Sequence, residues 1–233
     1  MNASIRWFVT EGAPVVVLPR AAYEAWEGAD CAALFQPGYS QRTTDFDRAC
    51  SVPGRAKVLR VGTSSGLVVN ARNSAGWLPL SRLDLAVLAT TDAVHDDTPE
   101  RVWNLFRACQ PAGWRFIAHE VLIDTDGLLL MHAVNQVAET EIQEYAAPGY
   151  AGLGDGIPYP LTPGHYRVEA HKVRTCKCGS EVRFIRLRHR PPQRMTGFAG
   201  PHALRRTPPS MWSTMMRLPS KRCLRRESAR GQR

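Results

Sequence analysis

The sequence predicts an α+β fold: a mainly antiparallel multi-strand sheet with one principal helix over residues 99–109 and short helices near the N-terminus. Three observations lead there. Short Val-rich runs are bracketed by Pro and Gly, as in Gly12-Ala13-Pro14-Val15-Val16-Val17-Leu18-Pro19, which is how strands are punctuated. Gly-containing stretches at 62–66 and 124–127 separate neighbouring apolar runs, the pattern of hairpins. Val102, Leu105, Phe106 and Cys109 follow an i, i+3, i+4, i+7 spacing, which lays one apolar stripe along a helix.

Taken in order, residues 5–9 and 14–18 read as strands joined through Gly12. Residues 20–27 read as a short helix with Tyr23 and Trp26 on one face and Gly28 as its stop. Residues 28–42 read as loop. Thr44 and Asp47 have the spacing of a capping box, with Asp in place of the usual Glu, and open a second short helix that ends at Pro53-Gly54. Segments 57–61 and 67–70 flank the flexible turn at 62–66. Trp77-Leu78-Pro79-Leu80 reads as a strand, and 83–89 as a longer one. Thr98 caps the principal helix, Pro99 takes its first position, Glu100 complements its dipole, and Pro111 and Gly113 end it.

Segments 115–123 and 128–133 read as a hairpin closed by Asp126-Gly127, a preferred type I′ pair. Residues 146–164 hold five glycines and four prolines and read as an ordered loop or a linker. Tyr166, Val168 and Ala170 alternate with His165, Arg167, Glu169 and His171, as in a half-exposed strand. Residues 181–187 complete a final hairpin. Beyond Arg190 periodicity stops, and Pro191-Pro192, Pro208-Pro209 and clustered arginines read as disorder. The expected organisation is a globular domain over 1–190 and a basic, Pro/Arg-rich tail over 191–233.

The 233 residues and their 44% hydrophobic content suit one large domain with an appendage. No run approaches the roughly 18 apolar residues that span a bilayer. The start, Met1-Asn2-Ala3-Ser4-Ile5-Arg6, does not read as a signal peptide. A cytoplasmic location away from membranes is expected, and the six scattered cysteines are expected as reduced thiols. The net charge of +9 is local: residues 191–233 carry ten bases and one acid, while the first 190 residues carry twenty of each.

Candidate chemistry is sparse. Cys176 and Cys178 share a strand face, but a structural zinc takes four ligands and no second pair has suitable spacing. His119 and His132 become diagonal neighbours on one face if Asp126-Gly127 closes a hairpin, with Val121 and Val134 opposite them and Glu120 turned away. A third ligand is missing, and neither the His-x-Glu spacing nor the Pro-Cys-x-x-Cys of zinc deaminases is present. These four residues define a metal-dependent-enzyme alternative. Asp45, Asp47, Asp96 and Asp97 are explained by helix starts. Gly152-Leu153-Gly154-Asp155-Gly156 lacks the following helix that a phosphate loop requires. No catalytic residues and no cofactor are expected. Arg205, Arg206, Arg222, Arg225 and Arg226 in the tail define a nucleic-acid-binding alternative, with Phe198 and Trp212 as stacking groups.

One series of features runs through most of the body in order: Trp7, Gly12-x-Pro14-x-x-x-Leu18-Pro19, Trp26-x-Gly28, Thr44-Asp45-Phe46-Asp47-Arg48-Ala49-Cys50, Trp77-Leu78-Pro79, and Pro163-Gly164-His165-Tyr166-Arg167-Val168. In these features the first 190 residues resemble the immunity protein 21 family of bacterial polymorphic toxin systems. The resemblance implies a non-enzymatic cytoplasmic antidote that binds and neutralises a cognate toxin domain through buried anchors and charge complementarity. It transfers no catalytic residues. Trp7, Trp26, Phe46 and Trp77 are expected in the core. Asp45, Asp47 and Arg48 are expected as toxin-binding residues, with capping and local ion pairing as their alternative.

Overall fold

A computed structural model describes residues 5–10, 12–30, 43–92, 98–124, 127–144, 149–174 and 181–190. All of them fall in the unit Met1–Gln193; the unit Arg194–Arg233 lies outside them. The fold is mostly β, with two sheets where the sequence suggests one. The first sheet has the order β10 (Gly149–Ala151), β1 (Arg6–Val9), β5 (Ser74–Trp77), β6 (Leu85–Thr91), β13 (Glu181–His189), β12 (Gly164–Arg174) and β7 (Arg115–Ile123). The second has the order β3 (Ala56–Val61), β4 (Ser64–Val69), β2 (Val15–Pro19), β8 (Leu128–His132), β11 (Asp155–Tyr159) and β9 (Glu141–Ile142). Pairing is antiparallel except for the short pairs β1–β10 and β9–β11. Two α-helices flank the sheets: α1 (Asp45–Cys50) and α2 (Pro99–Arg107).

Three apolar clusters arrange these elements as layers. The central one lies between the sheets, where Phe8, Trp77, Leu88, Tyr166 and Ile185 meet Val15, Val17, Leu67, Leu130 and Tyr159. A second covers the other face of the second sheet with Ala22, Trp26, Ala49 and Val52. A third places α2, through Val102, Leu105 and Phe106, against Trp7, Val87 and Phe184 on the other face of the first sheet. β2 and β8 are buried at every residue. Both faces of these strands are covered, so they carry continuous apolar runs rather than alternation. β12 and β7 lie toward an edge and are less fully buried. The alternation expected along β12 breaks at Val168–Glu169, where the register with β7 shifts, so that Glu169 is buried while Ala170 and His171 are only partly covered.

The two sheets are tied together by a reciprocal pair. The Trp77 indole N–H, from β5, donates to the Ile157 carbonyl of β11 at 3.2 Å. The Tyr159 hydroxyl, from β11, donates to the Leu85 carbonyl of β6 at 3.0 Å. Their rings pack with centroids 4.8 Å apart. Phe8 of β1 makes a second ring contact across the interface, edge-on to His132 of β8 at 5.0 Å.

Several sequence expectations hold. The capping box is formed: Thr44 Oγ1 accepts from the Asp47 N–H while Asp47 Oδ2 accepts from the Thr44 N–H. Thr98 caps α2, with Pro99 in its first turn. Trp7, Trp26 and Trp77 are buried, and Phe46 is half-buried against the cluster on the second sheet.

Others need correction. The helix expected at 20–27 is a single 3-10 turn, Arg20–Ala22. The turn expected at 62–66 is shorter, because β4 already begins at Ser64. Gly66 lies inside β4, where a Cβ would meet the Leu18 side chain at 2.8 Å. The strand expected at Trp77-Leu78-Pro79-Leu80 instead ends at Trp77. Residues 146–164 contain β10 and β11 rather than a linker. Their Gly and Pro content argues against strands on propensity, yet each exception has a packing reason. Gly156 leaves space for the Leu129 and Thr140 side chains. Pro158 lies beyond the residues that β9 pairs, where β11 has become an edge strand, a position that tolerates proline.

The largest correction concerns Asp126-Gly127. β7 and β8 do not form a hairpin. β7 pairs with β12 in the first sheet, and β8 pairs with β2 and β11 in the second. The connection crosses between layers, and Gly127, at φ +87°, donates its N–H to the Leu161 carbonyl. β8 is apolar on both faces and gains most from a central place between two neighbours, which a hairpin with an edge strand does not supply.

A double-mutant cycle tests the reciprocal pair. Trp77→Phe and Tyr159→Phe each leave one buried carbonyl without its donor and should cost about 1–3 kcal/mol in urea unfolding. The double variant should depart from additivity by at least about 0.5 kcal/mol, because both residues share one contact.

Candidate binding surface

Residues 26–28 and 44–48 form one local lock. The Trp26 indole N–H donates to the Ala133 carbonyl just beyond β8. The Glu27 N–H donates to Asp45 Oδ2 at 3.0 Å, and the Phe46 N–H to the Gly28 carbonyl at 3.1 Å. Gly28 is required here: its φ is +62°, and a Cβ would stand 2.6 Å from the Val134 carbonyl oxygen. Asp45 is buried and pairs with Arg48, whose guanidinium also donates to the Arg60 carbonyl on β3. Asp47 closes the capping box. The structure thus gives Asp45, Asp47 and Arg48 internal partners, and leaves Asp47 and Arg48 part-exposed at the surface of α1.

The histidine pair is not brought together. His132 is buried against Phe8 in β8, whereas the backbone of His119 lies in β7 of the other sheet. The expected register, with His119 opposite Val134 and His132 opposite Val121, does not exist, because those strands do not pair; His132 faces Val15 instead. Cys176 and Cys178 lie outside the described residues, as do Asp96, Asp97 and the tail residues Arg205, Arg206, Arg222, Arg225 and Arg226. Among the described residues no group of three or more His, Cys, Asp or Glu side chains is placed to hold a metal ion. Cys50 and Cys109 are free thiols, and burial raises the pKa of each above the ordinary thiol value, with Asp47 adding to the effect at Cys50.

Two clefts were not apparent in the sequence. One, of about 580 Å³, opens at an end of the sandwich and is largely apolar, lined by Tyr23, Leu83, Leu128, Tyr159 and Leu161. Burial raises the Tyr23 pKa there, against a smaller opposing effect of Arg20. The other, of about 830 Å³, lies between the 3-10 turn Pro111–Gly113 and the far ends of β12 and β13. Arg115, Lys172, Arg174 and Arg183 line it, and the His171 ring lies against Gly113. Glu181 is bonded to both Lys172 and Arg183. Desolvation works to raise the Glu181 pKa, but the hydrogen bonds and charges of those two cations outweigh it and hold the carboxyl below its ordinary value.

Beside this cleft, Arg186 stacks on Trp114 at 3.9 Å and donates to Glu169 at 2.7 Å. Trp114 also meets His171 and Phe106 edge-on. These side chains come from three separated stretches, so no local motif announces them.

The family model described as Immunity protein 21 matches residues 6–178. The chain belongs to the immunity protein 21 family. The match runs from β1 to beyond β12 and so takes in the second sheet, the first sheet except β13, both helices and the residues of the lock. Searches of curated proteins and of solved structures return no match. Among the described residues, no helix in this family member is long and apolar enough to cross a membrane.

The lock yields three predictions. Gly28→Ala should lower stability by more than about 1 kcal/mol, because strain and collision act together. Thr44→Ala should cost about 1 kcal/mol at neutral pH through loss of the cap. Backbone and side-chain hydrogen bonds from Thr44 lower the Asp47 pKa. A depressed folded-state pKa means that the stabilisation is complete above the ordinary Asp range and disappears as pH falls through the folded value. Asp47→Asn should therefore flatten part of the stability loss that the parent protein shows on acidification below about pH 4, measured by urea titrations across pH.

Proposed function

We infer that this protein is an antidote that neutralises a toxin by binding it, without turnover of its own. The observation that carries this reading is the family match across both sheets. A polymorphic toxin system, a cytoplasmic place of action and a cognate toxin domain as partner follow as parts of the same proposal. The globular body over 1–190 does the binding. The layered core supports it, because a surface ordered before association loses less conformational entropy on docking.

Asp47 and Arg48 are the contact residues of α1 in this reading. Asp45 holds Arg48 from beneath through their ion pair. The Arg48 side chain keeps 38% of its surface exposed despite this pairing, which leaves part of the guanidinium open to a partner's charge pattern.

Co-expression with the toxin encoded beside the gene should restore growth, and a 1–190 truncation should retain that rescue. The charge reversal Arg48→Glu should weaken rescue without abolishing expression. If no neighbouring toxin candidate is neutralised by the full-length chain, the antidote reading is wrong.

A further inference from the structure

We propose that the cleft between the Pro111–Gly113 turn and the far ends of β12 and β13 docks an acidic segment of the toxin, taking side-chain carboxylates of a protein partner. This rests on the antidote reading above. The charge distribution is the first support. The cleft carries Arg115, Lys172, Arg174 and Arg183 and no carboxylate among its described lining residues, and the neighbouring Glu181 is engaged by Lys172 and Arg183. Arg115 and Arg174 are exposed and have no acidic partner among the described residues. The first 190 residues as a whole are balanced, with twenty bases and twenty acids, so this cluster is a local departure from neutrality. Such a departure steers and selects an oppositely charged partner.

The second support is shape. A volume of about 830 Å³ admits several side chains, and guanidinium groups meet carboxylates through paired, geometrically specific hydrogen bonds. Ion pairing of Glu181 with Lys172 and Arg183 restrains two of the cations that line the cleft. The third support separates a protein from a single-stranded nucleic acid. Binding of the latter relies on open aromatic faces for base stacking. Trp114, the large ring beside this cleft, is already engaged by Arg186, His171 and Phe106. That arrangement favours carboxylates over stacked bases.

The test uses the full-length chain with a fluorescein-labelled deca-glutamate peptide as probe and an oligothymidine of equal charge as comparison. Arg115→Glu with Arg174→Glu should weaken peptide binding about tenfold at low salt, as expected for two contacts turned repulsive, with an unchanged melting temperature. The neutral variant Arg115→Gln with Arg174→Gln should show a smaller loss in the same direction. Lys57→Glu, an exposed reversal on β3, should change binding by less than about twofold.

Equal peptide affinity in the parent and the double reversal overturns the proposal, and is also what binding through the arginine tail alone would give. A larger loss for oligothymidine than for the peptide overturns it as well, and assigns the cleft to nucleic acid. The assay contains no toxin, so its failure leaves the antidote reading standing, while a failed growth rescue leaves the peptide result intact.

Discussion

The structure depends on how two sheets are held face to face. Apolar burial alone brings them together without fixing their relative placement, because the hydrophobic effect is non-directional. Trp77 and Tyr159 supply direction. Each carries a large ring and one polar atom, and each places that atom on a backbone carbonyl of the opposite sheet. In a buried setting an unmade bond of this kind is costly, so a shifted sandwich would lose both bonds and the ring contact at once. The outer layers depend on this placement: α2 needs the first sheet beneath it, and the 26–48 lock needs the end of β8.

The sequence features that are most distinctive turn out to be structural at the atomic level. Trp26, Gly28, Asp45 and Asp47 each have an identifiable backbone or side-chain partner within the chain. They staple residues 26–28 and α1 onto the outer face of the second sheet. An antidote does not need reactive groups; it needs a surface that keeps its shape against a partner. Turns, caps and aromatic anchors of this kind fix the shape of the backbone, which is consistent with that demand.

Charge follows the opposite logic from these motifs. Read along the chain, the conspicuous basic feature is the tail after residue 190. Folding creates another one from Arg115, Lys172, Arg174 and Arg183, which are unremarkable in their local contexts. They converge because β7, β12 and β13 are neighbours in one sheet, and because the Pro111–Gly113 turn ends α2 at the same place. A cleft of this type is a product of strand order.

Local information was sufficient wherever a feature is decided within a few residues. The capped helix α2, the Thr44–Asp47 box and the hairpin of β12 with β13 could be read from spacing, because caps act over three residues and a hairpin joins neighbours in the chain. What only the tertiary structure decided was partnership. The strand-forming residues of β7 and the apolar run of β8 mark two strands, but not against which neighbour each one packs. Asp126-Gly127 was therefore as compatible with a crossing between layers as with a hairpin. The glycines and prolines of β10 and β11 likewise conceal strands whose existence depends on edges supplied by β1 and β8. Pairing energy comes from residues far apart in the chain, so sheet membership, the fate of His119 and His132 and the basic cleft were settled by packing rather than by any local pattern.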